Sequence, residues 1–181
     1  MKKIVFFLAV NGLTGCIKKD ITPQFTLPPE TQQGANTLGF IVNNRVWQNY
    51  GRRCTTFGCS DNQLQAHYSS KYGQFLLSAG LTTRDHDDSF GLEIKNLYST
   101  GTYFSLAPIG PFDNPGNSFG FSESKGSYYV SATPGATKIV ITRFDTINKI
   151  ISGTFDGRLD RNTNPTSNII ITDGRFDVKY E

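Results

Sequence analysis

Lys138-Ile139-Val140-Ile141-Thr142-Arg143-Phe144, Ile150-Ile151-Ser152-Gly153-Thr154-Phe155-Asp156-Gly157-Arg158-Leu159 and Phe176-Asp177-Val178-Lys179-Tyr180 decide the fold of this chain. In the second stretch Ile151, Gly153, Phe155 and Leu159 fall on one side, and Ser152, Thr154, Asp156 and Arg158 on the other. In the third, Phe176, Val178 and Tyr180 oppose Arg175, Asp177 and Lys179. A period of two is the signature of a half-buried strand, because successive side chains of a strand point to opposite faces. The turn at 145–148 is short and polar, so the first two stretches read as antiparallel neighbours.

Upstream, the same reading repeats. Leu38-Gly39-Phe40-Ile41-Val42 and Arg45-Val46-Trp47 flank Asn43-Asn44, a pair that tolerates positive φ at both central positions of a two-residue hairpin turn. Trp47, the only tryptophan, is expected to pack in the core at its strand end, with a ligand-stacking platform as the alternative. Gln63 to Tyr68 and Gln74 to Leu81 form another pair, and Phe90, Leu92 and Ile94 share one face of the next strand. Gly101 to Leu106 is a further short strand, and the Pro- and Gly-rich run from Ala107 to Gly120 marks a long loop. Aromatic residues make up 13% of the chain and no stretch sustains a helical period, which favours strands. The expected fold is all-β, an antiparallel meander of about ten strands forming a sandwich or flattened barrel.

The N-terminus has a different logic. Lys2 and Lys3, the apolar run Ile4 to Val10 and the small residues Gly12, Thr14 and Gly15 follow the order of a secretory signal peptide. The run is too short to span a bilayer, which takes about 20 apolar residues. Leu13-Thr14-Gly15-Cys16 resembles the box cut by the lipoprotein signal peptidase, which makes Cys16 the expected lipidated residue. Acyl chains contribute about 0.8 kcal/mol per buried CH₂, and more than one chain gives stable anchoring. The expected organisation is a signal peptide over 1–15, a lipidated N-terminus and flexible tether over 16–37, and one β domain over 38–181. The polar, proline-bearing 17–37 segment reads as a spacer, with Leu27-Pro28-Pro29-Glu30 docking at its end. Ile17, which is not acidic, favours sorting to the outer membrane, and neither a periplasmic nor a surface orientation is fixed by it.

Removing Lys2 and Lys3 takes the formal charge from +3 to +1. A nearly neutral domain lacks the clustered Lys and Arg that nucleic acid selects, so no nucleic-acid partner is expected. Of three cysteines, Cys16 goes to lipid, leaving Cys54 and Cys59 as an even pair in a compartment that permits a disulfide. Two free thiols or half of a metal site are the alternatives, and the nearest histidine is His67.

The motifs that could carry chemistry are sparse. Arg84-Asp85-His86-Asp87-Asp88 offers carboxylates to a cation but lacks the glycine and spacing of a calcium loop, and reads as a solvated hairpin tip. His67 and His86 are candidate bases, yet the chain has no Gly-x-Ser-x-Gly and no His-Glu-x-x-His. No catalytic residue, metal ligand or cofactor is therefore expected. Asp173-Gly174-Arg175-Phe176-Asp177 reads as structural, with Gly174 supplying a bulge or a positive φ. Asp145-Thr146-Ile147 fits the Asp-Thr-aliphatic pattern that resembles a bacterial O-glycan acceptor, which makes Thr146 a candidate modification site. Tyr103, Phe112 and Tyr129 are the candidate exposed aromatics for a ligand.

The opening Leu27-Pro28-Pro29-Glu30-Thr31-Gln32 with Gly34 to Phe40 and Val42 to Trp47 resembles an uncharacterised family of Bacteroidota-type exported lipoproteins. Ile150-Ile151-Ser152-Gly153-Thr154-Phe155 and Ile171-Thr172-Asp173-Gly174-Arg175-Phe176-Asp177-Val178-Lys179-Tyr180 resemble its closing signature. Where that family continues its Gly-Thr-Phe strand with another aromatic, this chain has Gly157, so a bend or bulge is expected there. The resemblance implies an envelope location and a β fold, and no activity. The expected role is a non-enzymatic binding or accessory module for a glycan, peptide or protein. The alternatives are a structural or assembly lipoprotein of the outer membrane and, third, a hydrolase.

Overall fold

The computed structural model describes residues 23–56, 58–61, 63–106, 116–124, 126–131, 133–162 and 164–181. The stretch expected to be a signal peptide, Cys16, Phe112 and most of the Pro- and Gly-rich run lie outside the described residues. The fold is all-β. Its strands are β1 (Thr37–Val42), β2 (Arg45–Gln48), β3 (Arg52–Thr55), β4 (Gly58–Asp61), β5 (Leu64–Ser69), β6 (Gln74–Thr82), β7 (Asp87–Ile94), β8 (Gly101–Phe104), β9 (Ser118–Ser122), β10 (Tyr128–Val130), β11 (Thr137–Asp145), β12 (Ile150–Arg161) and β13 (Asn164–Lys179).

Eleven of them form one curled sheet folded over into two facing layers. The first layer runs β2-β1-β13-β12-β11-β8 and the second β10-β9-β7-β6-β5. β12 joins them: residues 150–157 pair with β11, and the far end pairs with β10 through Val130↔Asp160 and Tyr129↔Arg161. The layers meet again where β5, the edge of the second layer, pairs with the residues that follow β13: Tyr68 N donates to Glu181 O (3.2 Å) and Glu181 N to Ala66 O (3.1 Å). β3 and β4 stand apart as a two-stranded hairpin whose facing Cys54 and Cys59 are disulfide-bonded.

The inward-facing residues of both layers make one aromatic core. Phe155 lies at its centre, 5.1 Å from Phe90 and 5.2 Å from Phe119 in the opposite layer, ring centre to ring centre. Phe75 faces Phe176 across the layers at 5.9 Å, and Phe40 faces Phe90 at 5.1 Å. Such pairs contribute about 0.5–1.5 kcal/mol each beyond area burial. Trp47 is fully buried and stacks on Phe40 at 4.7 Å, as its place at the end of a strand predicted. The turn that puts it there has Asn43 at φ 50° and Asn44 at φ 59°.

Several local expectations need correction. β13 runs continuously through Asp173-Gly174. Against β1, the pairs Gly39↔Arg175 and Ile41↔Thr172 place an extra residue on β13, and against β12 the pairs Phe155↔Gly174 and Gly157↔Ile171 do the same. The bulge therefore sits at 172–174, and the left-handed residue is Asp173 (φ 54°), not Gly174. Gly174 is needed for another reason: a Cβ there would lie 2.5 Å from both the Phe155 ring and its carbonyl. The irregularity beside Gly157 belongs to this bulge. Ser118 to Gly120, expected in a loop, are the start of β9, which pairs with β7.

The segment before β1 does not hang free over its described part. Asp177, on the outer face of β13, is 1% exposed because residues 31–35 are laid over it. Its carboxylate accepts hydrogen bonds from Thr31 Oγ1 (2.7 Å), Gln33 N (2.9 Å), Gly34 N (2.8 Å), Ala35 N (3.1 Å) and Ser152 Oγ (2.7 Å). Burial by itself would raise its pKa, but the bonds from Thr31, Ser152 and the backbone amides outweigh it and hold it at about 2. Pro28 is buried on Gly39, and Phe25 packs edge-on against Tyr50 at 5.3 Å. The tether expected to reach position 37 is thus bound to the domain from Phe25 onward.

Candidate functional site

One face of each layer is consumed by the core, and the outer face of the first is partly covered by residues 28–36. On the outer face of the second layer a trough of about 1030 Å³ opens across β5, β6, β7, β9 and β10. Strand register builds its floor. His67, Leu76, Glu93 and Ser118 lie opposite one another in one row across four strands, and Gln65, Ser78, Gly91, Gly120 and Val130 form the next row across five. All point outward because their neighbours Ala66, Leu77, Leu92, Phe119 and Tyr129 point in.

The two glycines give the trough its depth. A Cβ built on Gly91 would meet no heavy atom within 4 Å, so the space above it is open. At Gly120 the space is taken by Tyr128, whose Oη and Cε2 lie 3.2 and 3.4 Å from where a Cβ would stand. Tyr128 is laid over that glycine and remains 44% exposed. Glu93 is partnered, accepting from Gln74 Nε2 at 2.7 Å with Lys95 Nζ at 4.0 Å. Ser78, Ser89 and Gln65 present neutral hydrogen-bonding groups, and Asp61, Lys179 and Glu181 bring charges of both signs to the lining.

The residues singled out from sequence are scattered relative to this trough. Tyr129 is 8% exposed and points into the core, so the expectation of an exposed aromatic there is corrected: it is the neighbouring Tyr128 that faces outward. The shift of one residue reverses the face. Tyr103 is half-buried against the core and donates its hydroxyl to Ser99 O at 2.8 Å. It sits near a tyrosine-rich end where Tyr68 contacts Phe144 at 5.2 Å and Tyr180 at 5.3 Å. Burial, then the neighbouring phenols, push the Tyr68 hydroxyl pKa up.

His67 borders the trough on β5, whereas His86 lies in the β6–β7 turn with Nδ1 3.9 Å from Asp88 Oδ2. Asp88 itself is 2% exposed, pairs with Arg45 at 2.9 Å and accepts from Ser124 N and Oγ. The acidic run is thereby split, with one carboxylate turned inward as a structural tie. Among the described residues no group of three or more His, Cys, Asp or Glu is placed to hold a metal ion. Thr146 is exposed in the β11–β12 turn, which Asp145 organises by accepting from Ile147 N, Asn148 N and Asn148 Nδ2. Bonds from Asn148, then Arg143, hold the Asp145 carboxyl well below the usual range.

Sequence reasoning missed Leu76, Gly91, Gly120 and Tyr128. The available signal was a glycine in the outward phase of two apolar strands, Phe90-Gly91-Leu92 and Phe119-Gly120-Phe121, but joining them needs the β7–β9 register. No protein-family model, curated protein or solved structure matches the chain.

Proposed function

We propose that this protein is a bacterial envelope lipoprotein, anchored through Cys16 to the outer membrane, whose β domain is a non-enzymatic binding module. The observation that carries the binding half is the trough: an open concavity of about 1030 Å³ with a glycine floor, an exposed ring and charges of both signs. That combination suits capture of a ligand better than chemistry on it, since binding sites are concave with a few placed polar groups. The anchoring half is supported by the leader, by its Leu-Thr-Gly-Cys box and by the resemblance to exported lipoproteins. No nucleic-acid role is included, because the chain without Lys2 and Lys3 is nearly neutral, with a formal charge of +1.

Two measurements test this. Labelling cells with an alkyne fatty acid should tag the wild type and not Cys16→Ser, and Cys16→Ser should leave the membrane fraction. An unlabelled wild type would contradict the anchor. For the module, the mature protein should be retained by at least one polysaccharide or peptide matrix, and Gly91→Leu, which fills the trough, should abolish retention. Retention unaffected by Gly91→Leu would contradict the assignment of the site.

A further inference from the structure

Resting on the reading of the trough as a ligand site, we propose that its occupant is an uncharged glycan chain, laid over Gly91 and packed against Tyr128. Four observations converge. First, the floor of the trough is a sheet face: the amides and carbonyls of β6, β7 and β9 are spent on the ladders on both sides, and at the β5 edge Ala66 O and Tyr68 N are taken by Glu181. An extended peptide recognised by strand addition would need an open edge. Second, the groups facing the cavity from Gln65, Ser78 and Ser89 both donate and accept, which matches sugar hydroxyls that do the same.

Third, the charges are of both signs and interspersed. Glu93 is held by Gln74 and Lys95, Asp61 lies 3.5 Å from Arg52, and Lys179 and Glu181 line the cavity two residues apart, so neither an anionic nor a cationic polymer finds a field of one sign. Fourth, Tyr128 supplies a rigid amphipathic ring beside a floor where a bulky ring can come down to the backbone, since nothing stands within 4 Å of a Cβ on Gly91. An apolar ligand would leave the serine and glutamine groups desolvated and unpaired, which weakens its binding.

The test is affinity electrophoresis of the mature protein through native gels cast with mixed-linkage β-glucan, galactomannan or glycogen, and in parallel with polygalacturonate or gelatin. Retardation is expected in at least one neutral polysaccharide gel and in neither polygalacturonate nor gelatin. Tyr128→Ala should weaken it about tenfold and Gly91→Leu should abolish it, with both variants keeping the wild-type circular dichroism spectrum. Trough-dependent retardation only in polygalacturonate or gelatin would overturn the uncharged glycan while leaving the binding module standing. Retardation in no gel, or retardation insensitive to Gly91→Leu, would overturn both.

Discussion

Asp177 shows how one side chain converts a polar segment into structure. Its folded pKa of about 2 lies below the ordinary value of 3.8, so the stabilisation it contributes is present above about pH 4 and is lost as pH falls toward 2. A shift of this size corresponds to about 2 kcal/mol. Urea unfolding followed by Trp47 fluorescence should therefore show a steeper loss of stability between pH 4 and 2 in the wild type than in Asp177→Asn. At neutral pH Asp177→Ala should cost about 3 kcal/mol and open residues 29–36 to limited proteolysis, because the donors it served lose their acceptor.

The glycines divide just as sharply. Gly174→Ala drives a Cβ into the Phe155 carbonyl, and should lower stability by several kcal/mol or prevent folding. Gly91→Thr has room and sits in a strand, so it should raise stability by about 0.5–1 kcal/mol in the same assay, while narrowing the trough. At this scale the sequence was legible where the local backbone decides, as at Asn43-Asn44, and where size decides, as at Trp47. It was illegible where a long-range contact decides: nothing near Asp177 in the chain announces that residues 31–35 will cover it.

Among the elements, the β3–β4 hairpin is the one whose stability is its own. It forms a separate sheet, and the Cys54–Cys59 bond closes a loop worth about 2 kcal/mol in the chain-entropy model. Cys54→Ser with Cys59→Ser should therefore remove hydrogen-exchange protection from residues 52–61 while moving the global melting temperature by less than about 3 °C. A larger shift would mean that the hairpin supports the core. Strand identity was readable wherever the period of two held, as in β11, β12 and the end of β13. Pairing was less so: β1 joins β13, β7 skips β8 to join β9, and β12 serves both layers, none of which a meander of sequence neighbours contains. β9 was missed because its Ser-Phe-Gly-Phe-Ser pattern adjoins the Pro- and Gly-rich run and is too short to stand out.

At the scale of the whole molecule, the two layers assign their four faces unequally. Two inner faces make the aromatic core, the outer face of the first layer receives the N-terminal segment, and the outer face of the second holds the trough. This division puts the segment leading from Cys16 on one layer and the proposed binding face on the other. A sandwich could be read from alternation; a trough on one of its faces could not, because its floor exists only once five strands are in register. The most direct measurement is a ¹H–¹⁵N correlation spectrum of the mature domain titrated with oligosaccharides released from the retarding neutral polysaccharide. Shifts concentrated at Gln65, Ser78, Gly91, Gly120 and Tyr128, absent in Gly91→Leu, are the predicted result. Shifts confined to the β3–β4 hairpin or to the tyrosine-rich end around Tyr68 and Tyr103, with the trough amides unmoved, would contradict it.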